Sequence, residues 1–263
     1  MPEQILENRT SAALQFVQSL TLPEIVTLPT AGEPLKLLTS DKASAAVDDQ
    51  SVVCFTAGLS SQLKSDVLDS TLLAQLAASA KFPRDPNTFD YNVVGWYNCY
   101  TDTLQKLGWD IQGLAFSRHQ VSGSSFQVNK VVIELLAGLV SGNTGLVVQS
   151  ALDALNAAKA GQSKALSLWK SHTDNDANGT FQISCCSESG GCAAMALSAF
   201  YMTSKDKIRQ ILWCDYSSSD TQLQNANTQV VLNNNVYSHV RDAVAQKLAG
   251  RAASFVADLD IDI

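Results

Sequence analysis

Charged residues are scarce in this chain of 263 residues: Asp, Glu, Lys and Arg make up 16% of it, against about 25% in an average soluble domain. Acidic residues outnumber basic ones by 25 to 18, so the formal net charge is −7. Because no basic stripe is present to release counterions from phosphates, the sequence argues against nucleic acid as a partner. The same charge disfavours simple attraction to anionic lipid headgroups, so any membrane attachment has to be apolar or covalent.

Histidine is rare as well, with three residues, His119, His172 and His239. No two of them have the i, i+4 spacing of a helical zinc pair, and the glycine-rich phosphate loops and the G-x-S-x-G nucleophile motif are absent from the sequence. Residues 174–179 are similar to the start of a calcium loop, but the spacing is shifted and no Glu stands at the twelfth position. The sequence therefore predicts no metal site and no recognisable active site.

Cysteine is too infrequent for a disulfide scaffold, with six residues in the chain. The first residues, Met1–Glu7, have neither the basic region nor the apolar region of a Sec signal peptide. We therefore expect synthesis in the cytoplasm, with release or export by a non-classical route and association with membranes.

Apolar residues make up 46% of the chain, which is enough for one large core. Periodicity and breaker residues predict helices at about residues 4–20, 70–82, 90–107 and 235–257. They predict strands at residues 51–55, 109–118, 180–186, 193–203, 208–217 and 222–232. The fold class is therefore α+β, with a four-stranded antiparallel meander in the C-terminal third that helices cover. We expect a single domain over residues 1–263; the alternative is a division into a mainly helical part (1–175) and a sheet with a C-terminal helix (176–263).

The middle of the chain is its most apolar part. Residues 131–140 and 146–152 flank a polar break at 141–145 that contains two glycines. A spanning helix needs about 20 mainly apolar residues, and this break would expose backbone groups to hydrocarbon. A helical hairpin within the fold is the favoured interpretation. The alternative is a pore-forming toxin in which residues 131–158 leave the fold and insert.

Three cysteines cluster around a predicted turn at residues 187–191: Cys185, Cys186 and Cys192. A cross-strand disulfide or a weak metal site is sterically conceivable there, but the paired C-x2-C spacing of zinc sites is missing. Small apolar side chains in a sheet are the favoured interpretation. Cys54 and Cys99 are predicted to be core residues for the same reason.

Cys214 has a different context, because it lies in the predicted strand 208–217. Strand alternation would place it on one face with Ile208, Leu212 and Tyr216. A thiol on an apolar sheet face that helices cover has a hydrophobic space beside it, where a thioester-linked fatty acyl chain would fit. Ordinary burial of the thiol is the alternative.

The order of elements, the aromatic helix with Gly95–Tyr97 and the cysteine within Ile211–Tyr216 resemble the Evf-type bacterial virulence factors, which promote persistence in the insect gut. This resemblance covers most of the chain. It implies a compact α+β fold of uncommon topology with no known enzymatic activity. It also implies a covalent palmitate on a cysteine, which matches Cys214 by position, and association of the factor with host membranes.

A single acyl chain gives only marginal, reversible anchoring, so a second membrane contact is needed. Trp96, Tyr97 and Tyr100 on the aromatic helix are candidates for that contact, since such side chains favour the membrane interface. Simple core packing of these aromatic rings is the alternative.

An enzymatic function is a separate alternative. Cys214 would then be the nucleophile of an acyl transferase or thioesterase, with His239 or His119 as the base.

Overall fold

The structure of the chain is a computed structural model. It describes residues 2–24, 35–39, 41–85, 90–111, 113–120, 123–139, 143–158, 163–173, 178–205, 208 and 210–261. Two predicted features lie partly outside the described residues: the calcium-loop-like segment (at 174–177) and the polar break of the apolar region (at 141–142).

The described residues form helices and strands that mix along the chain, which confirms the α+β class. The helices are α1 (Pro2–Ser19), α2 (Ser61–Lys81), α3 (Val93–Lys106), α4 (Val128–Leu139), α5 (Thr144–Ala157), α6 (Lys164–Thr173), α7 (Asn234–Leu248) and α8 (Ala252–Phe255), with a short 3-10 helix at Lys36–Thr39. The strands are β1 (Ser44–Asp48), β2 (Ser51–Phe55), β3 (Trp109–Asp110), β4 (Ser117–Arg118), β5 (Ser125–Gln127), β6 (Asn178–Ser189), β7 (Cys192–Ser204), β8 (Asp215–Ser217), β9 (Thr221–Leu232) and β10 (Val256–Leu259).

One large sheet organises the fold, with the strand order β10-β1-β2-β6-β7-β9-β3, and β4 also pairs with β9. The β2–β6 pair is parallel, whereas β6–β7 and β7–β9 are antiparallel. The sheet therefore joins strands from the first half of the chain to strands from the last third. β5 and β8 form a separate two-stranded sheet.

Both faces of the large sheet are buried, because a layer of helices covers each one. The first layer contains α1, α2, α3 and α7, and the second contains α4, α5 and α6. Neighbouring strand residues alternate between the layers: Phe55 and Cys186 face the first, while Cys54 and Cys185 face the second. This alternation follows from the two-residue period of a strand.

The prediction of a third meander strand at residues 208–217 is wrong. β7 pairs directly with β9, and only Asp215–Ser217 forms a strand, which belongs to the small sheet. Ile211 and Leu212 are both fully buried in a turn. Two consecutive buried residues are compatible with a turn folded onto the core but not with a strand that has one exposed face.

The predicted C-terminal helix also ends earlier than expected. Helix α7 stops at Leu248 because Ala249 and Gly250 adopt left-handed backbone angles, with φ of 41° and 79°. The chain then forms the short α8 and returns as β10, which pairs with β1 at the edge of the large sheet.

Helix α2 begins nine residues before the predicted start at Ser70, with Ser60 as its N-cap. Its polar residues are buried with their partners. The ammonium of Lys64 donates to the carbonyl of Leu37 at 3.2 Å and to the hydroxyl of Ser44 at 3.0 Å. Because a buried ammonium is expensive to desolvate, these acceptors fix the segment before β1 against the helix.

The predicted strand 109–118 is interrupted and forms β3 and β4. From the pair Asp110–Val231 to the pair Ser117–Asn225, the chain advances seven residues on one side and six on β9. Gly113 has a φ of 103°, which favours glycine. The interruption is thus a bulge-like mismatch at the outer edge of the sheet.

The apolar middle of the chain forms two helices, α4 and α5, that contact each other and pack on the second face of the sheet. Among the described residues, no helix combines the length and the hydrophobicity that crossing a bilayer requires.

Two carboxyl groups of α2 face α7. Arg241 binds Asp66 through two hydrogen bonds of 2.7 Å. Burial and, to a smaller extent, the nearby Asp66 carboxylate raise the pKa of Asp69 to about 6. The hydrogen bond from Ser65 opposes this increase. Tyr237 on α7 faces the same two carboxyl groups.

We expect the Asp69 carboxyl to make the fold less stable as the pH rises. Its pKa in the folded state, about 6, exceeds the ordinary value of 3.8, so its contribution is complete below about pH 4 and is lost as the pH passes about 6. The shift corresponds to at most about 3 kcal/mol, and partial exposure reduces it. Chemical denaturation at pH 4 and pH 7 measures the free energy of unfolding at each pH. Asp69→Asn should reduce the difference between the two values, whereas Asp153→Asn, an exposed control on α5, should leave it unchanged. An equal change in unfolding free energy between pH 4 and pH 7 for the wild type and Asp69→Asn would contradict the raised pKa of Asp69.

Candidate functional site

Cys214 lies in the turn that precedes β8, not within a strand. It is half-buried and packs against the core on the second face of the large sheet. The turn is held by a backbone hydrogen bond from Trp213 to Gln210 and by one from Asn129 to Leu212. The predicted apolar neighbours Leu212 and Tyr216 belong to the same core cluster. Cys214 therefore borders the second core, although the strand that was expected to place it there does not form.

His239, one of the two proposed bases, lies apart from Cys214. His239 is exposed on α7, where its Nδ1 lies 2.9 Å from the Asn235 carbonyl. Helix α7 covers the first face of the sheet, whereas Cys214 packs on the second, so the sheet separates the two side chains. His119, the other proposed base, lines a polar groove beside β4.

The aromatic residues predicted to contact a membrane lie in the core. Trp96, Tyr97 and Tyr100 are 2%, 2% and 1% exposed. Trp96 and Tyr100 stack with their ring centroids 5.5 Å apart, and the indole of Trp96 donates to Ser79 at 3.1 Å. In the folded chain these rings attach α3 to its neighbours, so the prediction of a membrane contact through them does not hold for this state.

The six cysteines are all described, and all are thiols. Cys185 and Cys186 are buried in β6, as predicted, and burial raises the pKa of the Cys185 thiol to about 12. Burial also raises the pKa of Cys54 well above its ordinary value. Cys192 is half-buried beside the β6–β7 turn, where it pairs with Ser189 and not with another cysteine. These positions explain why the cluster forms no disulfide.

Cys99 is not the core residue that the sequence predicts. It is half-buried on α3 and lines a groove of about 380 Å³ between α1, α2 and α3. We call this cavity the α1 groove. Its apolar lining comes from Phe16 and Leu20 of the α1 segment and from Ala77 and Ala80 of α2. A volume of this size lies within the range of small-ligand sites.

Charged side chains stand at the rim of the α1 groove. Lys106 pairs with Asp102 at 2.8 Å, and its ammonium lies 4.5 Å from the centre of the Phe16 ring. Lys81 is also part of the lining. Burial raises the pKa of the Cys99 thiol, although Lys81 and a hydrogen bond with Thr103 oppose that effect. A thiol beside an apolar surface with a cationic rim suits a ligand with an apolar tail.

Helix α1 covers the groove lightly. Its buried side chains among the described ones are Thr10, Ala13 and Val17. A second groove beside α1, of about 240 Å³, shares Phe16 and Lys106 with the α1 groove. The sequence signal for the α1 groove was the run of small residues at Ala77–Ala80, which leaves room opposite α1.

A metal site has no support in the described part of the chain, where His, Cys, Asp and Glu side chains do not gather in groups of three or more.

Thiol labelling should separate the two classes of cysteine. In native protein first treated with hydroxylamine, which removes any thioester-linked acyl group, we expect N-ethylmaleimide to modify Cys99, Cys192 and Cys214. Cys54, Cys185 and Cys186 should stay unmodified, because they are buried. Cys99 should react more slowly than glutathione, since its raised pKa lowers the thiolate fraction. Peptide mass spectrometry reports each site, and labelling in guanidinium is the control in which all six react. Native labelling of Cys54 or Cys185 would contradict the packing.

No protein-family model and no curated protein matches the chain. Solved structures that are similar to it include the following three. The activated Cyt2Ba monomer from Bacillus thuringiensis subsp. israelensis has 13% identity and a TM-score of 0.33, with 68% of this chain and 96% of that chain covered. A delta-endotoxin has 10% identity and a TM-score of 0.33, with 81% and 91% covered. The Evf virulence factor has 10% identity and a TM-score of 0.38, with 95% and 91% covered. Values this low do not establish a shared fold or activity.

Proposed function

We propose that this chain is an S-acylated virulence or persistence factor that associates with host membranes, and that its acyl chain lies in the α1 groove. The observation that carries the proposal is the Cys99 thiol in the wall of an apolar cavity of about 380 Å³. The virulence part follows from the sequence resemblance to Evf-type factors.

The chemistry requires an activated acyl donor, such as palmitoyl-coenzyme A. The Cys99 sulfur attacks the thioester carbonyl, a new carbon–sulfur bond forms, and the coenzyme thiol leaves with the proton. The methylenes of the transferred chain then lie against Phe16, Leu20 and Ala80. Each buried methylene contributes about 0.8 kcal/mol, so the groove stabilises the modified form.

The acyl chain can insert into a membrane if it leaves the α1 groove. Helix α1 is held by few buried side chains, so its displacement would expose the acyl chain without disturbing the sheet. One chain anchors only marginally, and a second apolar contact is required. Ile5 on α1 and Val94 on α3 are 61% and 64% exposed, and they replace the buried aromatic rings as candidates for that contact.

Acylation at Cys214, as the sequence resemblance implies, is the alternative site for the same modification. Its half-buried position against the second core would place the chain on the opposite side of the sheet. Single substitutions can therefore distinguish the two sites.

We expect intact-mass spectrometry to show one palmitoyl adduct that hydroxylamine removes. Cys99→Ser should abolish the adduct and Cys214→Ser should retain it. Ala80→Phe, which fills part of the groove and keeps the Cys99 thiol, should reduce acylation by added palmitoyl-coenzyme A, whereas Ala137→Phe on the exposed side of α4 should not. An adduct lost only in Cys214→Ser would move the site to the second face. The absence of any thioester adduct would overturn the proposal.

A pore-forming function remains the second candidate, and one observation favours it: α5, in the most apolar part of the chain, carries Leu146 at 60% exposure. For insertion, α4 and α5 would have to leave the second face of the sheet. Thr144 at the start of α5 hydrogen-bonds the Cys185 side chain on β6, so this contact reports whether they do.

Tethering α5 to the sheet tests this function. In Thr144→Cys, oxidation should link the new thiol to Cys185. If α5 has to leave the sheet, dye release from liposomes should be lost on oxidation and should return with reductant, while Thr144→Ser should release dye under both conditions. Undiminished release by the fully oxidised variant would exclude insertion of this helix.

A further inference from the structure

We propose that a polar groove at the edge of the large sheet binds a phosphate group. The groove has a volume of about 320 Å³ and lies where β4 meets the start of β9. We call it the β4 groove. Besides Leu223, its lining is polar and consists of Arg118, His119, Gln120, Ser218, Thr221 and Gln222. This site is distinct from the α1 groove and does not depend on acylation.

Backbone hydrogen bonds fix both walls of the β4 groove. On one side, Arg118 pairs with Gln224 of β9, and the His119 amide donates to the Leu223 carbonyl at 2.8 Å. On the other side, the Ser218 amide donates to the Ser124 carbonyl at 3.0 Å. The backbone of Arg118, His119 and Ser218 is therefore held in place by the fold before any ligand binds, which lowers the entropy loss on binding.

The charge balance of the β4 groove is opposite to that of the chain. The net charge of the protein is −7, yet among the residues that the structure describes no carboxylate contributes to this lining. The neighbouring acid, Asp220, is paired with Lys205 at 2.7 Å and accepts a hydrogen bond from Ser219 at 3.0 Å. These hydrogen bonds lower the pKa of Asp220. The guanidinium of Arg118 has no ion-pair partner among the residues that the structure describes.

The side chains of the groove include several N–H donors. Arg118 presents a planar fork of N–H groups, and His119, Gln120 and Gln222 add further N–H donors. The Ser218 hydroxyl already donates to the Gly123 carbonyl at 2.8 Å. An oxyanion with several acceptor oxygens satisfies such a donor set, and the guanidinium fork matches the geometry of phosphate.

The phosphate could belong to a soluble ester or to a phospholipid headgroup, because both present the same oxygens. Glycerol 3-phosphate and vesicles of phosphatidylcholine with phosphatidic acid separate these sources. Binding of the soluble ester is measured by calorimetry, and binding of vesicles by co-sedimentation, both at low ionic strength because salt screens exposed charges.

Two groove variants and one control test the site. We expect Arg118→Gln and His119→Gln each to weaken binding about fivefold, as expected for the loss of one charge-assisted hydrogen bond of about 1 kcal/mol at an exposed site. Lys130→Gln, on the exposed side of α4, also removes a basic side chain and should change binding less than twofold. Thermal melts confirm that the variants are folded.

Each outcome decides the proposal. A groove-dependent loss for the soluble ester supports a phosphate site open to free ligands, and a loss confined to vesicles supports a headgroup site. Equal effects of all three substitutions would show that only general charge matters, and this would overturn the proposal. A lack of binding to both probes would overturn it as well.

Discussion

The pairing of polar side chains along α2 is the constraint on which the first helical layer depends. This helix is buried for most of its length, so its charged and polar residues need partners inside the protein. The Lys64 ammonium donates to carbonyls that precede β1, and Asp66 pairs with Arg241 of α7. Thr71 donates to the buried Asp48 at 2.6 Å. These contacts join α2 to α7 and to the end of β1. Helix α1 shares in none of these pairs, which agrees with the displacement that we propose for it.

Much of the fold could be predicted from periodicity alone. α1, β2, β6, β7 and β9 have clear apolar patterns, and their predicted ranges agree with the structure. The start of α2 was missed because its buried face includes polar residues, which hide the amphipathic pattern. The segment around Ile211 was misread because consecutive buried residues in a turn look like a buried strand. Tertiary contacts decide such cases, and a single sequence does not contain them.

The candidate site was harder to predict than the fold. Cys214 and Cys99 both lie in apolar stretches, and no local pattern shows which thiol borders a cavity. The α1 groove exists because small residues of α2 face Phe16 across a gap, which is a property of packing between distant segments. The rings of Trp96, Tyr97 and Tyr100 show the same limit, since an aromatic stripe suits a membrane surface and a core equally well. The β4 groove likewise depends on β4 and the β8–β9 turn, which are a hundred residues apart in the chain.

The interrupted pairing of β3 and β4 has a consequence for how the molecule behaves at high concentration. β9 contains no charged residue from Thr221 to Leu232 and is rich in Asn and Gln, a composition that favours stacking into fibrils. A regular outer strand would present a continuous ladder to another molecule. The register mismatch near Gly113 breaks that ladder, so the edge that covers β9 is a poor template for a further strand. The irregular edge thus protects colloidal stability in a protein whose surface has few charges to keep its copies apart.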